Sequence, residues 1–119
     1  MVQMVYKMKL FIIDWSLDNT SALLQSCTIA PHKIVGHEFK DGGEAFRKTG
    51  VDKPDAIIVN YAVKPLHGRT TAESIRKRKA TAQIPIYFID GDEEDNEKAA
   101  NLGLCLSGEE LQDLLYTQQ

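Results

Sequence analysis

The fold of this chain is decided by the stretch Lys9-Leu10-Phe11-Ile12-Ile13-Asp14, a continuous apolar run that ends abruptly at an acidic residue. A run rich in β-branched and aromatic residues is typical of a strand that is buried on both faces. The same pattern recurs at residues 56–59 before Asn60 and at residues 84–89 before Asp90. The sequence therefore predicts three central strands, each followed by a polar residue.

The segments between these runs have helical spacing and helix end signals. Ser16 or Asp18 is available as the N-cap of the first helix, Gly50 closes the second, and a loop through Pro65 and Gly68 precedes the third. The predicted helices cover residues 17–30, 44–49, 70–79, 92–101 and the segment from residue 107 onward, and two further strands cover residues 33–39 and 104–106. Five alternating strand and helix units predict a three-layer α/β sandwich with a five-stranded parallel sheet and right-handed crossovers.

Composition predicts one folded domain. The 119 residues are 43% hydrophobic and 26% charged, and the net charge of −3 offers no general attraction for nucleic acid or for anionic lipid. No apolar run approaches the roughly 20 residues of a membrane-spanning helix, and the run at residues 10–13 is too short for a signal-peptide core. Cys27 and Cys105 lack metal-binding spacing, so we expect reduced core thiols and a cytoplasmic location.

Ligands of parallel α/β sheets gather at the carboxyl ends of the strands, because every strand-to-helix loop emerges there. In this sequence the residues at those ends are Asp14, Asn60, Asp90 and Ser107. They are the first candidates for a functional site.

Several blocks of the sequence resemble the receiver domain of bacterial two-component response regulators. These blocks are the first strand with Asp14, the helix start Asp41-Gly42-Gly43-Glu44-Ala45-Phe46, the strand Pro54-Asp55-Ala56-Ile57-Ile58-Val59, and the strand Ile84-Pro85-Ile86-Tyr87-Phe88-Ile89. The resemblance implies a flavodoxin-like sheet of order 2-1-3-4-5. It divides the chain into an N-terminal extension, residues 1–8, and a single receiver-like domain, residues 9–119.

The residues that carry phosphotransfer in that family are replaced here. Asn60 stands where the family has its phosphate-accepting carboxylate, and an amide is a poor nucleophile towards phosphorus. Trp15 follows Asp14 where an acidic pair would hold magnesium, and Asp90 occupies the position of a Ser or Thr. Ser107 runs directly into the last helix where a Lys is expected. The resemblance therefore implies a pseudo-receiver, with no catalytic residues, no bound metal and no cofactor.

Three of these residues, Asp14, Asp90 and Trp15, have alternative interpretations. Asp14 and Asp90 could form a carboxylate pair for a metal or a shared proton, or could simply cap strand ends. Trp15 could cover the emptied pocket, or could pack under the helix that follows it. His67 has no nucleophile in a recognisable motif nearby, which favours an ordinary loop residue.

The resemblance implies an output through protein contacts at the fourth and fifth helices and the strand between them. The predicted partner-binding residues are Glu93, Glu94, Asp95, Leu104 and Glu109. The acidic cluster would suit a basic partner, such as a histidine kinase or an effector, and the basic run at residues 76–79 leaves self-association open. Neither nucleic acid nor a membrane is expected as a partner.

Two other functions remain open. An active receiver could use a displaced carboxylate, Asp14 or Asp90, as its phosphate acceptor. Alternatively, the vacated pocket could bind a small molecule or an anion through backbone amides at helix N-termini.

Overall fold

The structure is a computed structural model that describes residues 7–16 and 21–117 of the chain. The elements are β1 (Lys9–Ile13), α1 (Ala22–Ser26), β2 (Lys33–Glu38), α2 (Gly42–Asp52), β3 (Ala56–Asn60), α3 (Pro65–Lys77), β4 (Ile86–Ile89), α4 (Glu93–Ala99), β5 (Leu104–Leu106) and α5 (Gly108–Thr117).

All five strands form one parallel sheet in the order β2-β1-β3-β4-β5, which confirms the predicted flavodoxin-like topology. Successive residues of a strand point to opposite faces of the sheet, so β1 supplies both cores. Phe11 and Ile13 pack with residues of α2, α3 and α4, whereas Leu10 and Ile12 pack with residues of α1 and α5. The three predicted layers are therefore present.

The strand register brings the polar strand ends together in two pairs. Ile13 lies opposite Val59, so the following residues, Asp14 and Asn60, lie at the same level of the sheet. Ile89 lies opposite Leu106, so Asp90 and Ser107 come together in the same way.

Two helices extend beyond the predicted bounds. Gly50 does not close α2, which continues to Asp52 and ends where Lys53 adopts a left-handed conformation with φ of 46°. The predicted loop through Pro65 and Gly68 is wrong, because α3 begins at Pro65, a residue well suited to the first helical position. A Cβ at Gly68 would lie 3.1 Å from Val59 Cγ1, so this glycine lets α3 approach β3 closely.

The first helix is also capped differently. Ser21, rather than Ser16 or Asp18, is the N-cap, and its Oγ accepts a hydrogen bond from Leu24 N at 3.0 Å. Asp18 lies outside the described residues. The predicted end of this helix at residue 30 is also wrong: α1 ends at Ser26, because the chain turns after Cys27, where Ile29 N bonds to Cys27 O. The remaining boundary differences are small: β4 begins at Ile86 because Ile84 lies in a turn, and α4 begins at Glu93 with Asp92 as its N-cap. The described residues include no helix that is long and apolar enough to cross a membrane.

The predicted N-terminal extension is described only at its end. Met8 donates its backbone N–H to His32 Nδ1 at 3.2 Å and accepts a hydrogen bond from Lys33 N. Its side chain packs against the core shared with α1 and α5. Met8 is therefore integrated into the domain.

Candidate functional site

The carboxylate of Asp14 is enclosed at the end of β1. The residue is 2% exposed, and its two oxygens accept hydrogen bonds from three donors: Ser21 Oγ at 2.6 Å, Asn60 Nδ2 at 3.1 Å and Ser16 N at 3.2 Å. A buried carboxylate needs such donors, because burial without them costs several kcal/mol. Asp14 therefore acts as the centre of a closed hydrogen-bond group.

Asn60 uses both ends of its amide within the domain. Its Nδ2 donates to Asp14, and its Oδ1 accepts a hydrogen bond from Ala62 N at 3.1 Å. An asparagine can make these two contacts at once because it carries both a donor and an acceptor, which an ionised aspartate does not. We call Asp14, Ser21 and Asn60 together the closed acidic group.

Asp90 and Ser107 form a second, open arrangement. Asp90 is exposed, has a φ of 60°, and accepts a hydrogen bond from Gly108 N at 2.9 Å. Ser107 caps α5 through a hydrogen bond from Glu110 N, and Glu110 Oε1 accepts from Ser107 N, which is the predicted capping box. Asp14 and Asp90 accept their hydrogen bonds from different donors, and within the described part of the chain no hydrogen bond joins the two residues.

Trp15 does not pack under its own helix, which corrects one of the two interpretations. It is 2% exposed and belongs to the core on the α2, α3 and α4 face of the sheet, whereas α1 packs on the other face. Its ring lies 4.1 Å from the His67 ring, centroid to centroid, and its Nε1 would be 3.6 Å from a Cβ at Gly68. Trp15 therefore packs on the first turns of α3, where His67 is helical and not in a loop.

Glu38, at the end of β2, anchors the loop that follows it. Its carboxylate accepts hydrogen bonds from Lys48 Nζ at 2.7 Å and from the backbone N–H groups of Lys40 and Asp41. Burial raises the pKa of this carboxyl, but the hydrogen bonds and the charge of Lys48 outweigh burial and hold the pKa below its ordinary value. Glu38 therefore stays ionised and fixes the start of α2.

A buried tyrosine links α3 to α4, which the sequence did not predict. Tyr61 is 1% exposed, donates its hydroxyl to Asp95 O at 2.8 Å, and accepts a hydrogen bond from Arg69 at 3.1 Å. Arg69 also lies 3.9 Å from the Asp95 carboxylate. The available signal was an aromatic residue directly after the polar strand end at Asn60.

The predicted partner-binding residues lie at α4, β5 and α5, with unequal exposure. Glu93, Glu94 and Glu109 are exposed, and Leu104 is 53% exposed at the edge strand. Asp95 is partly buried and is engaged with Tyr61 and Arg69. The hydrogen bond and the ion pair thus give Asp95 a role inside the domain.

Two arginines of the basic run at residues 76–79 form contacts inside the domain. The Arg76 guanidinium donates to the carbonyls of Leu102, Ala82 and Ile84. Arg78 lies over the Phe46 ring, and burial lowers the pKa of both guanidinium groups from the ordinary value. The surface charge of this run is therefore smaller than the sequence suggests.

Among the described residues, no three His, Cys, Asp or Glu side chains lie together as they would around a metal ion. Cys27 is buried and Cys105 is half-buried, and both are free thiols. Burial raises the pKa of Cys27 to about 11, and that of Cys105 is raised for the same reason.

Comparison with solved structures supports the fold. The chain is similar to the crystal structure of the signal receiver domain of a modulated diguanylate cyclase from Desulfovibrio desulfuricans G20, with a TM-score of 0.66 and 20% sequence identity. The match covers 95% of this chain and 97% of that one. The chain therefore has a receiver-like, flavodoxin-like fold. No protein-family model matches the sequence.

Sequence comparison finds a second, partial likeness. The phosphoglucosamine mutases of Bordetella pertussis, Bordetella parapertussis and Bordetella bronchiseptica are each 28% identical to this chain over 98 residues. The match covers 82% of this chain but 21% of each mutase. The chain thus spans about a fifth of the length of these curated relatives.

Proposed function

We propose that this chain is a pseudo-receiver, a signalling module that acts through protein contacts and does not accept a phosphoryl group. The observation that carries the proposal is the hydrogen bond from Asn60 Nδ2 to Asp14. Through this bond the Asn60 amide at the end of β3 faces the Asp14 carboxylate as a hydrogen-bond donor. From the resemblance to bacterial receivers we further propose that the module acts in the cytoplasm and is not an enzyme.

The chemistry of the strand ends supports the absence of phosphotransfer. The amide nitrogen of Asn60 is a poor nucleophile because its lone pair is delocalised into the carbonyl. The Asp14 carboxylate already accepts three hydrogen bonds, so it offers little to a hard divalent cation. Between β5 and α5 there is room only for Ser107, so no lysine follows β5 directly.

Acetyl phosphate tests the proposal. The protein is incubated with acetyl phosphate and Mg²⁺, and its intact mass is measured beside a receiver domain that is known to accept phosphate. We expect no phosphate adduct on this chain. The Asn60→Asp variant, which restores a carboxylate at the acceptor position, is treated in the same way. Its thermal melt shows whether the variant is folded.

An adduct on the unaltered chain would contradict the proposal, and peptide mapping would then identify the acceptor. A phosphate on Asp14 or on Asp90 would establish the alternative, an active receiver with a displaced acceptor. Because Asp14 is enclosed and Asp90 is exposed, the second position is the one to examine first.

The surface formed by α4, β5 and α5 is the proposed contact face. Leu104 of β5 is 53% exposed and Tyr116 of α5 is 57% exposed, so two of these elements each carry a large exposed apolar side chain. Glu93, Glu94 and Glu109 supply exposed negative charge around it. Apolar anchors within a charged rim are typical of protein interfaces, and the sign of the charge favours a basic signalling partner, a histidine kinase or an effector.

Charge reversal tests this face. In a pull-down with the protein as bait, Glu93→Lys combined with Glu94→Lys is expected to remove the partner proteins that the original chain retains at low salt. Glu73→Lys, an exposed charge reversal on α3, is the matched control and is expected to retain them. Asp95 is left unchanged because of its contacts with Tyr61 and Arg69. Equal retention by all three proteins would exclude the acidic face, and sedimentation would detect self-association.

A further inference from the structure

Helix α4 gains little from apolar packing. All seven of its residues are described, and of these only Ala99, at the C-terminal end, is buried. Because burial of an apolar face is the main force that holds a helix against a domain, a helix with a single core alanine is weakly attached by that force. The rest of its attachment must come from polar contacts.

The start of α4 is attached to the domain through Tyr61. The Tyr61 hydroxyl donates a hydrogen bond to Asp95 O at 2.8 Å and accepts one from Arg69 Nη1 at 3.1 Å. Arg69 Nη1 also lies 3.9 Å from Asp95 Oδ1. The Tyr61 ring packs in the core, with its centroid 4.9 Å from that of the Phe88 ring, so the core fixes the position of the hydroxyl. We call the contacts among Tyr61, Arg69 and Asp95 the α4 tie.

Asn96, the next residue of α4, carries a buried polar atom that works against this attachment. Its Nδ2 donates to Gly91 O at 3.2 Å, but its Oδ1 is buried and accepts no hydrogen bond within the described ranges. Such an acceptor costs free energy as long as it is shielded from water, and the cost is removed when the helix moves outwards. The closed position of α4 is therefore favoured by the α4 tie and opposed by Asn96.

The chain is anchored on both sides of α4. On the C-terminal side, Leu102 belongs to the core, and its carbonyl accepts a hydrogen bond from Arg76 Nε at 2.8 Å. On the N-terminal side, Asp90 N bonds to Leu106 O at the end of β4. Movement of α4 would therefore be confined to residues 91–101, between two fixed points.

We infer that α4 opens as a local unit while the sheet and the other helices stay folded, and that the α4 tie sets how often it opens. Tyr61 and Arg69 are positioning residues, because neither lies on α4 and both act through Asp95. Glu93 and Glu94 lie on the helix, so each opening would displace them from the proposed contact face. That consequence rests on the proposed function, whereas the opening itself does not.

Hydrogen exchange tests the opening on the protein alone. Backbone amides in peptides that cover α4, α2 and α5 are followed by mass spectrometry in the unaltered chain and in variants. Tyr61→Phe removes the hydroxyl and keeps the ring, so exchange in α4 is expected to accelerate roughly fivefold, with little change in α2 and α5. Tyr87→Phe is the matched control, because Tyr87 packs against the core on the opposite face of the sheet. It is expected to exchange like the unaltered chain.

Two variants of Arg69 separate the α4 tie from a general loss of stability. Arg69→Met removes the charge and the donors, whereas Arg69→Lys keeps a positive charge and N–H donors. Exchange in α4 is expected to rise roughly threefold in Arg69→Met and to return towards the original rate in Arg69→Lys. The inference is overturned if Tyr61→Phe and Arg69→Met both leave α4 unchanged, if the two Arg69 variants act alike, or if exchange rises equally in every helix. Should Tyr61→Phe not fold, the two Arg69 variants decide the question.

The pull-down with the protein as bait tests the consequence for the contact face. Arg69→Met is expected to retain less of the partner than the unaltered chain, and Arg69→Lys is expected to restore retention. Full retention by Arg69→Met, despite faster exchange in α4, would overturn the effect on the contact face. If exchange responds as expected but the unaltered chain retains no partner, the opening stands and the proposed function fails, so the two failures are distinguishable.

Discussion

The two strand-end carboxylates, Asp14 and Asp90, lie in different environments although the sequences before them look alike. Asp14 and Asp90 each follow a buried apolar strand, yet Asp14 is enclosed with three donors and Asp90 is exposed with one. Both residues follow interior strands, and the backbone N–H of each still bonds to a neighbouring strand, Asp14 N to Glu38 O and Asp90 N to Leu106 O. Asp90 leaves β4 in a left-handed conformation. The environment of a strand-end carboxylate is thus set by the neighbouring strands and loops, and not by its own strand.

The largest effect is expected at the enclosed end. Asp14→Ala removes the common acceptor of Ser21, Asn60 and Ser16, so it is expected to lower the free energy of unfolding by about 3 kcal/mol. Asp90→Ala loses one exposed bond and is expected to cost about 1 kcal/mol. Urea unfolding at pH 7 measures both variants. Equal losses would break the distinction between an enclosed and an open end.

A smaller effect with a defined pH dependence is expected at Glu38, the other enclosed carboxylate. Glu38→Gln is expected to lower the free energy of unfolding by about 1–2 kcal/mol at pH 7, because charge-assisted bonds to Lys48, Lys40 and Asp41 are weakened. The folded-state pKa of Glu38 lies below the ordinary 4.5, so its stabilisation is complete above pH 4.5 and is lost as the pH falls through the lower value. Urea unfolding of both proteins from pH 7 to pH 3 should therefore converge. A constant difference over this range would assign the loss to packing.

The smallest effect is expected at Asp90 itself. Its φ of 60° suits glycine, so Asp90→Gly is expected to change the free energy of unfolding by less than about 0.5 kcal/mol, since relief of strain offsets the lost bond to Gly108. Asp90→Ala serves as the matched variant that loses the bond without this relief. Thermal melts of the pair sharpen the comparison. A glycine variant as unstable as the alanine variant would show that the bond, and not the backbone, governs this end.

The strand and helix order could be predicted from the sequence because the buried runs at β1, β3 and β4 are long, apolar and sharply ended. The first turn of α3 could not be predicted in this way. Gly68 and Pro65 are usual loop residues, and the tertiary reason for a glycine there, close packing against Val59, does not appear in a local pattern.

The candidate site was predictable to the same extent. Asp14 and Asn60 were expected together because parallel strands end at one edge, and their hydrogen bond bears this out. The packing of Trp15 on His67 was not expected, because the two residues are far apart in the sequence and no local pattern reveals their contact. The internal roles of Arg76 and Asp95 were missed for a similar reason: charge runs in a sequence do not reveal which members turn inward.

The three-residue length of β5 limits how copies of this chain can associate. An edge strand with unpaired backbone groups can add strands from other molecules and grow into fibrils, and a short edge offers few such groups. The opposite edge, β2, is longer, but the Lys48 ammonium already bonds to the His37 carbonyl there. Crowded solutions of this protein should therefore resist ordered polymerisation through the sheet, and a partner of the proposed kind would contact side chains and not a strand edge.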